Sequence, residues 1–127
     1  MTISFISSTF DNHTSDPNDS TTVSSVAAVT GDKILFLSYW RSKAETITTP
    51  LWGSLAFTQV GSTIDTGEAS LALYEANANA SATHDVTASF SNFVRYNSVV
   101  VVARDSSNAV MALSSVQQQI YNSGTFS

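Results

Sequence analysis

The chain contains no cysteine, which excludes disulfides, a thiolate nucleophile and cysteine-ligated zinc or iron–sulfur centres. Charge is scarce as well. Asp, Glu, Lys and Arg make up 12% of the 127 residues, about half the ~25% usual in soluble domains. The five basic residues (Lys33, Arg41, Lys43, Arg95 and Arg104) are scattered, and the net charge is −5. Nucleic-acid binding draws on clustered Lys and Arg and the counterions they release, so no nucleic-acid partner is expected. With five glycines and two prolines there is no glycine-rich phosphate loop. No apolar run approaches the ~20 residues of a membrane span. The opening MTISFISSTF has neither the basic start nor the sustained apolar stretch of a secretory signal. The expectation is a protein made in a cytoplasm, not secreted and with no membrane partner, in which the sequons at Asn12, Asn18 and Asn79 carry little weight.

What is present is 43% apolar and 10% aromatic residues in a background of hydroxyls and amides. A chain of this length makes one domain and buries on the order of two-thirds of its extended surface, enough for a single core. The patterning is β almost throughout. TISFISSTF alternates with Ile3, Phe5 and Ser7 on one side, and DNHTSDPNDS at 11–20 is a turn cluster, hence a loop. A weaker strand follows at 21–30, and Gly31-Asp32 turns into KILFLSYW at 33–40. That segment is apolar on both faces, with Ile34, Phe36 and Trp40 on one and Leu35, Leu37 and Tyr39 on the other. A half-solvated antiparallel strand would alternate, so this one reads as covered on both sides, by its own sandwich and by a neighbouring subunit. A short buried helix is the rival reading.

SLAFTQVGS (54–62), EASLALYEA (68–76), HDVTASFS (84–91) and NSVVVVARD (97–105) read as further strands, with Val86, Ala88 and Phe90 inward. LYEANANASATHD reads as a loop, with a turn of helix at 74–82 as the alternative. AVMALSS and QQIYNSGTF close the chain. About eight or nine short strands at this spacing predict an all-β fold, a single antiparallel β-sandwich of jelly-roll or immunoglobulin-like type over 1–127. Residues 1–20 and 114–127 read as extended arms.

No constellation announces a chemistry. Asp11, Asp16, Asn18 and Asp19 could offer oxygen ligands to calcium, but they lack the spacing and terminal bidentate Glu of an EF-hand loop. Asx residues beside proline make turns without metal, so no metal and no cofactor are expected. His84 and Asp85 are adjacent and would point to opposite faces of a strand. His13 and His84 both read as solvated loop histidines. No Gly-x-Ser-x-Gly elbow accompanies the many serines. Asp65, Glu68 and Glu75 could pair as glycosidase carboxylates only across a cleft that a sandwich this small hardly offers. No catalytic residues are assigned, and an enzyme is not expected.

The aromatic residues are more informative. Burying one ring contributes on the order of 2–3 kcal/mol, so most of Tyr39, Trp40, Trp52, Phe57, Tyr74, Phe90, Phe93 and Tyr96 read as core. A ring left on the surface would serve sugar stacking or a subunit contact. Trp52, in TTPLWG between Pro50 and Gly53, stands between a core cap and a displayed ring. The interface candidates are Trp52, Trp40, Tyr39, Tyr121, Phe126 and Phe5.

The order of the pieces is itself distinctive. Gly31-Asp32 precedes KILFLSYW, then come Thr49-Pro50-Leu51-Trp52-Gly53 and Phe57-Thr58-Gln59-Val60-Gly61-Ser62. Ser70-Leu71-Ala72-Leu73-Tyr74, Val86-Thr87-Ala88-Ser89-Phe90-Ser91 and Val99 to Arg104 follow. Over about residues 20–105 the series resembles a β-sandwich domain of tailed-bacteriophage structural proteins, found in head and tail components. It departs from that pattern at the turn, where Trp52 precedes Gly53 instead of following it. The resemblance implies a non-enzymatic virion protein. Its first implication is a capsid decoration or cement protein that stabilises the head lattice as a homo-oligomer, a trimer favoured, with itself and the major capsid protein or other virion proteins as partners. The alternative it implies is a tail or fibre module binding a host glycan or another tail protein.

Overall fold

The computed structural model describes residues 2–42 and 44–106. All its regular structure is antiparallel strand: β1 (Ile3–Ala28), β2 (Lys33–Trp40), β3 (Leu51–Trp52), β4 (Leu55–Ala56), β5 (Thr58–Asp65), β6 (Ser70–Asn77) and β7 (Ala82–Asp105). Both the predicted all-β class and its antiparallel sandwich character hold, in the form of one sheet bent until it nearly closes on itself.

The spine is β7. At ~3.3 Å per residue a straight strand of its 24 residues would run roughly 80 Å, against a radius of gyration of about 14 Å for a compact chain of this size. It must therefore bend, and both neighbours break register near the same place. On one edge β1 pairs with β7 from Ile3↔Asp105 to Ala28↔Ala82, with register shifts between His13, Asn18 and Ser20. On the other edge β2 pairs from Lys33↔Ala103 to Trp40↔Tyr96. The chain then leaves the sheet and rejoins through the Ile47↔Phe90 bridge and the Trp52↔Val86 pair. On β7 itself residues 91, 92 and 93 are all exposed, interrupting an inward set that runs Val86, Ala88, Phe90 and then Val94, Tyr96, Ser98, Val100, Val102.

The bend divides the sheet into two leaves that share one core. The larger leaf has the order β1–β7–β2–β6–β5, built on the first half of β1 and the second half of β7. The smaller has the order β1–β7–β3–β4, built on the other halves. Between them Phe36 meets Phe57 at 6.4 Å and Tyr74 at 6.2 Å, while Phe90 lies 5.7 Å from Trp40 and 5.0 Å from Tyr96.

The sequence-based elements need three corrections. Residues 11–20 are strand within β1 and not a loop, because Asp11 spends its carboxylate on Thr21, Thr22 and Tyr96 and holds the segment against β7. The strands expected at 84–91 and 97–105 are one, and those expected at 3–9 and 21–30 are also one, so the described residues hold seven strands. Residues 3–20, read as part of an arm, lie in β1, which pairs with β7 from Ile3 to His13 and again at Asn18 and Ser20, its register shifting across 14–17. KILFLSYW is strand, which disposes of the helical alternative, and 78–81 form a short loop. AVMALSS, QQIYNSGTF and the 114–127 arm lie outside the described residues.

Candidate interaction surface

Alternation makes the two faces of the larger leaf separable. Its inner face carries Ile34, Phe36, Trp40, Tyr74, Tyr96, Val100 and Val102, all buried. Its outer face follows from register. One row across the five strands reads Phe10, Val99, Leu37, Leu73, Val60. The row on one side reads Asn12, Asn97, Tyr39, Leu71, Ile64, and the row on the other reads Ser8, Val101, Leu35, Glu75, Thr58. In these fifteen positions the one charged side chain is Glu75, whose Oε1 is 3.5 Å from the Nζ of the buried Lys33. Phe10 is 67% exposed, Tyr39 45% and Leu37 36%. A face that met only water would carry polar residues here.

On its β1–β7–β2 side is an open depression of about 160 Å³ lined by Phe10, Leu37, Tyr39 and Val99 together with Asn12 and Asn97. The smaller leaf differs. Its outward positions on β7 are Asp85, Thr87, Ser89 and Ser91, and its large exposed apolar side chains are Leu51 and, where β7 bends, Phe93.

The other polar groups singled out in the sequence are engaged in holding the bent sheet. Asp32, at the Gly31 turn, has a fully buried carboxylate that accepts from Arg104 Nε at 2.7 Å, Arg104 Nη2 at 2.8 Å and the Val29 N–H at 2.9 Å. Burial alone would raise its pKa, but the guanidinium and the amide outweigh that and hold it below the ordinary 3.8. Near the bend, Asp11 Oδ2 accepts from the Tyr96 hydroxyl at 2.5 Å, the Thr21 hydroxyl at 3.0 Å and the Thr22 N–H at 3.0 Å. Burial, and then this carboxylate, push the Tyr96 hydroxyl well above its ordinary 10.0. His13 stacks on Tyr96 with ring centroids 5.2 Å apart, and its Nε2 is 3.6 Å from Asp11.

The interface candidates separate cleanly. Trp40 and Trp52 are each 1% exposed, their indole N–H groups donating to the carbonyls of Glu45 (3.0 Å) and Val26 (2.9 Å). Trp52 is therefore a core ring: β3 and β4 form a small hairpin about Gly53, and His84 closes over the indole edge-on at 4.9 Å. The Trp-then-Gly order places the indole inward opposite Val86, with Gly53 taking the left-handed turn position at φ +59°. Tyr39 and Phe5 are on the surface, and Tyr121 and Phe126 lie outside the described residues. His84 is not a free loop residue, and His13 is part of the Asp11–Tyr96 cluster.

Among the described residues no group of three or more His, Asp or Glu side chains could hold a metal ion. Asp65 is turned on its own hairpin, accepting from the Gly67 N–H at 2.7 Å, and Glu75 faces Lys33. No helix of the described residues is long and apolar enough to cross a membrane.

Sequence reasoning had marked the second apolar face of β2. It missed Phe10, Val99 and the two asparagines, which only strand register brings beside Leu37 and Tyr39. Four consecutive valines at 99–102 were the available signal, since such a run dresses both faces of a strand. Comparison with protein-family models, with curated proteins and with solved structures finds no match to this chain.

Proposed function

We propose that the chain is a non-catalytic structural protein of a virion, a capsid decoration protein that stabilises the head lattice by packing against copies of itself and against the capsid shell. The observation that carries the assembly part of this reading is the outer face of the larger leaf. It is broad, apolar and nearly uncharged in a chain of net charge −5, and it exposes Phe10, Leu37 and Tyr39. Exposed apolar patches of this kind mark contact surfaces. The motif order from Gly31-Asp32 through Val99–Arg104 supplies the virion part. The virion would then be where the protein works, after synthesis in the host cytoplasm.

The test is quantitative mass spectrometry of purified particles. Copies in numbers comparable to the major capsid protein, with labelling on the head, support the proposal. Copies confined to the tail, or none, overturn it.

A second reading, a tail or fibre module holding a host glycan, is favoured by one feature: amides and aromatic rings share the depression, with Asn12 and Asn97 beside Tyr39 and Phe10. Buried Trp52 cannot be its stacking ring; Tyr39 would be. Reproducible binding on a glycan array that is lost in Tyr39→Ala supports the module, and no binding removes it.

A further inference from the structure

We infer that the outer face of the larger leaf is a two-fold self-association surface, occupied in the working protein by the same face of a second copy. The inference rests on the reading of the chain as an assembling, non-catalytic subunit, and names the surface and the partner. Three observations favour a second copy as occupant.

The first is charge. Two chains of net charge −5 repel wherever their carboxylates meet. Across the fifteen positions of this face the one carboxylate, Glu75, is already matched by Lys33 at 3.5 Å. The face can thus meet its own copy without bringing like charges together, which a charged patch could not do.

The second is area. Five strands spaced ~4.8 Å apart and eight residues long cover a footprint of roughly 600 Å². Side chains standing off the sheet expose more than their footprint, and stable interfaces begin near roughly 600 Å² per partner.

The third is shape. The face is not flat: an open depression of about 160 Å³ lies between Phe10, Leu37, Tyr39 and Val99. Phe10 and Tyr39 stand at its border, more than a third exposed. In a face-to-face pair each copy offers rings to the depression of the other. Such a contact uses the same patch twice and closes at two copies, whereas a trimer needs two different complementary patches.

The experiment is sedimentation velocity on the full chain over a range of micromolar concentrations, for wild type, Leu37→Glu and Thr87→Glu. Leu37→Glu puts a carboxylate in the centre of the face; Thr87→Glu puts the same charge on the outside of the smaller leaf. The expected result is a concentration-dependent species at twice 13.5 kDa for wild type and Thr87→Glu, with the dissociation constant at least about tenfold weaker in Leu37→Glu. Circular dichroism of each variant shows that the sheet is retained. Should Leu37→Glu not fold, Tyr39→Ser, which removes an exposed ring, is expected to weaken the pair in the same direction.

A wild-type chain that stays at 13.5 kDa throughout overturns the inference. In that case glycan binding lost in Tyr39→Ala, or protection of the face by residues 107–127 of the same chain, would identify the other occupant. A three-copy species, or a pair unaffected by both substitutions in the face, also overturns it. The virion reading fails on different evidence: a chain that pairs through this face but is absent from particles sinks that reading alone, and a monomer abundant on heads sinks this inference alone.

Discussion

The two halves of β7 are one strand with two different outsides. From Val86 to Phe90 the strand alternates strictly, and its outward residues are Thr87 and Ser89, both exposed. From Val99 to Ala103 the inward set continues unchanged with Val100 and Val102, but the outward set becomes Val99, Val101 and Ala103. The inner face needs the same residues in both halves because both close one core. The outer faces are under no such common demand, so their difference reports what each leaf meets. The smaller leaf turns mainly hydroxyls outward along β7, and the larger turns out the apolar side chains that the proposed pairing requires.

That contrast can be broken most violently from the inside. Trp52→Ala removes a fully buried indole and its hydrogen bond to the Val26 carbonyl at 2.9 Å. It should cost about 3–5 kcal/mol, read as a lowered denaturant midpoint. A cost below about 1 kcal/mol would mean that the indole is not the core ring described here.

Next in size is the staple at the Gly31 turn. Asp32→Asn removes the charged partner of Arg104 and should cost about 2–3 kcal/mol. The same carboxylate sets an acid limit. Its folded pKa lies below its unfolded value, so its contribution is complete above that value and is lost as pH falls from about 4 through the lowered folded pKa. Wild type should lose stability more steeply than Asp32→Asn across that window in acid titrations followed by fluorescence. Parallel curves would remove Asp32 from the account.

Gly53→Ala is expected to have a smaller effect, about 1–2 kcal/mol. Gly53 has φ +59°, and an added Cβ would lie 2.9 Å from the His84 ring, which can rotate because it is exposed. Near-UV circular dichroism should show the disturbed Trp52 environment. An unchanged midpoint would mean the turn tolerates a side chain.

Smallest is the outer face itself. In dilute solution Tyr39→Ser should shift the unfolding free energy by less than about 1 kcal/mol, while affecting association. A large loss of stability in a demonstrated monomer would make Tyr39 a core residue and erase the contrast between the leaves.

Much of this was legible in the sequence where a residue's role depends on its neighbours along the chain. The alternation of Val86, Ala88 and Phe90, the turn at Gly31-Asp32 and the double apolar face of KILFLSYW all belong to that kind. What depended on contacts across the sheet was not legible. The segment 11–20 has the composition of a loop, and Asp11 makes it strand only by reaching Thr21, Thr22 and Tyr96, the last 85 residues away. Trp52 could face either way until pairing with Val86 set it inward. Phe10 stood at the edge of an expected loop, and only its register opposite Val99 places it beside Leu37. The residues of a flat surface are scattered in sequence because a sheet collects them from every strand.

The central claim is that the outside of the larger leaf is covered in the working protein and the outside of the smaller leaf is not. Hydroxyl-radical footprinting of the full chain over a dilution series tests it most directly. The account predicts that Phe10, Leu37 and Tyr39 are protected at high concentration and become reactive on dilution, while Leu51 on the smaller leaf reacts equally throughout. Equal modification of Tyr39 at every concentration, or concentration-dependent protection of Leu51 in its place, would contradict it.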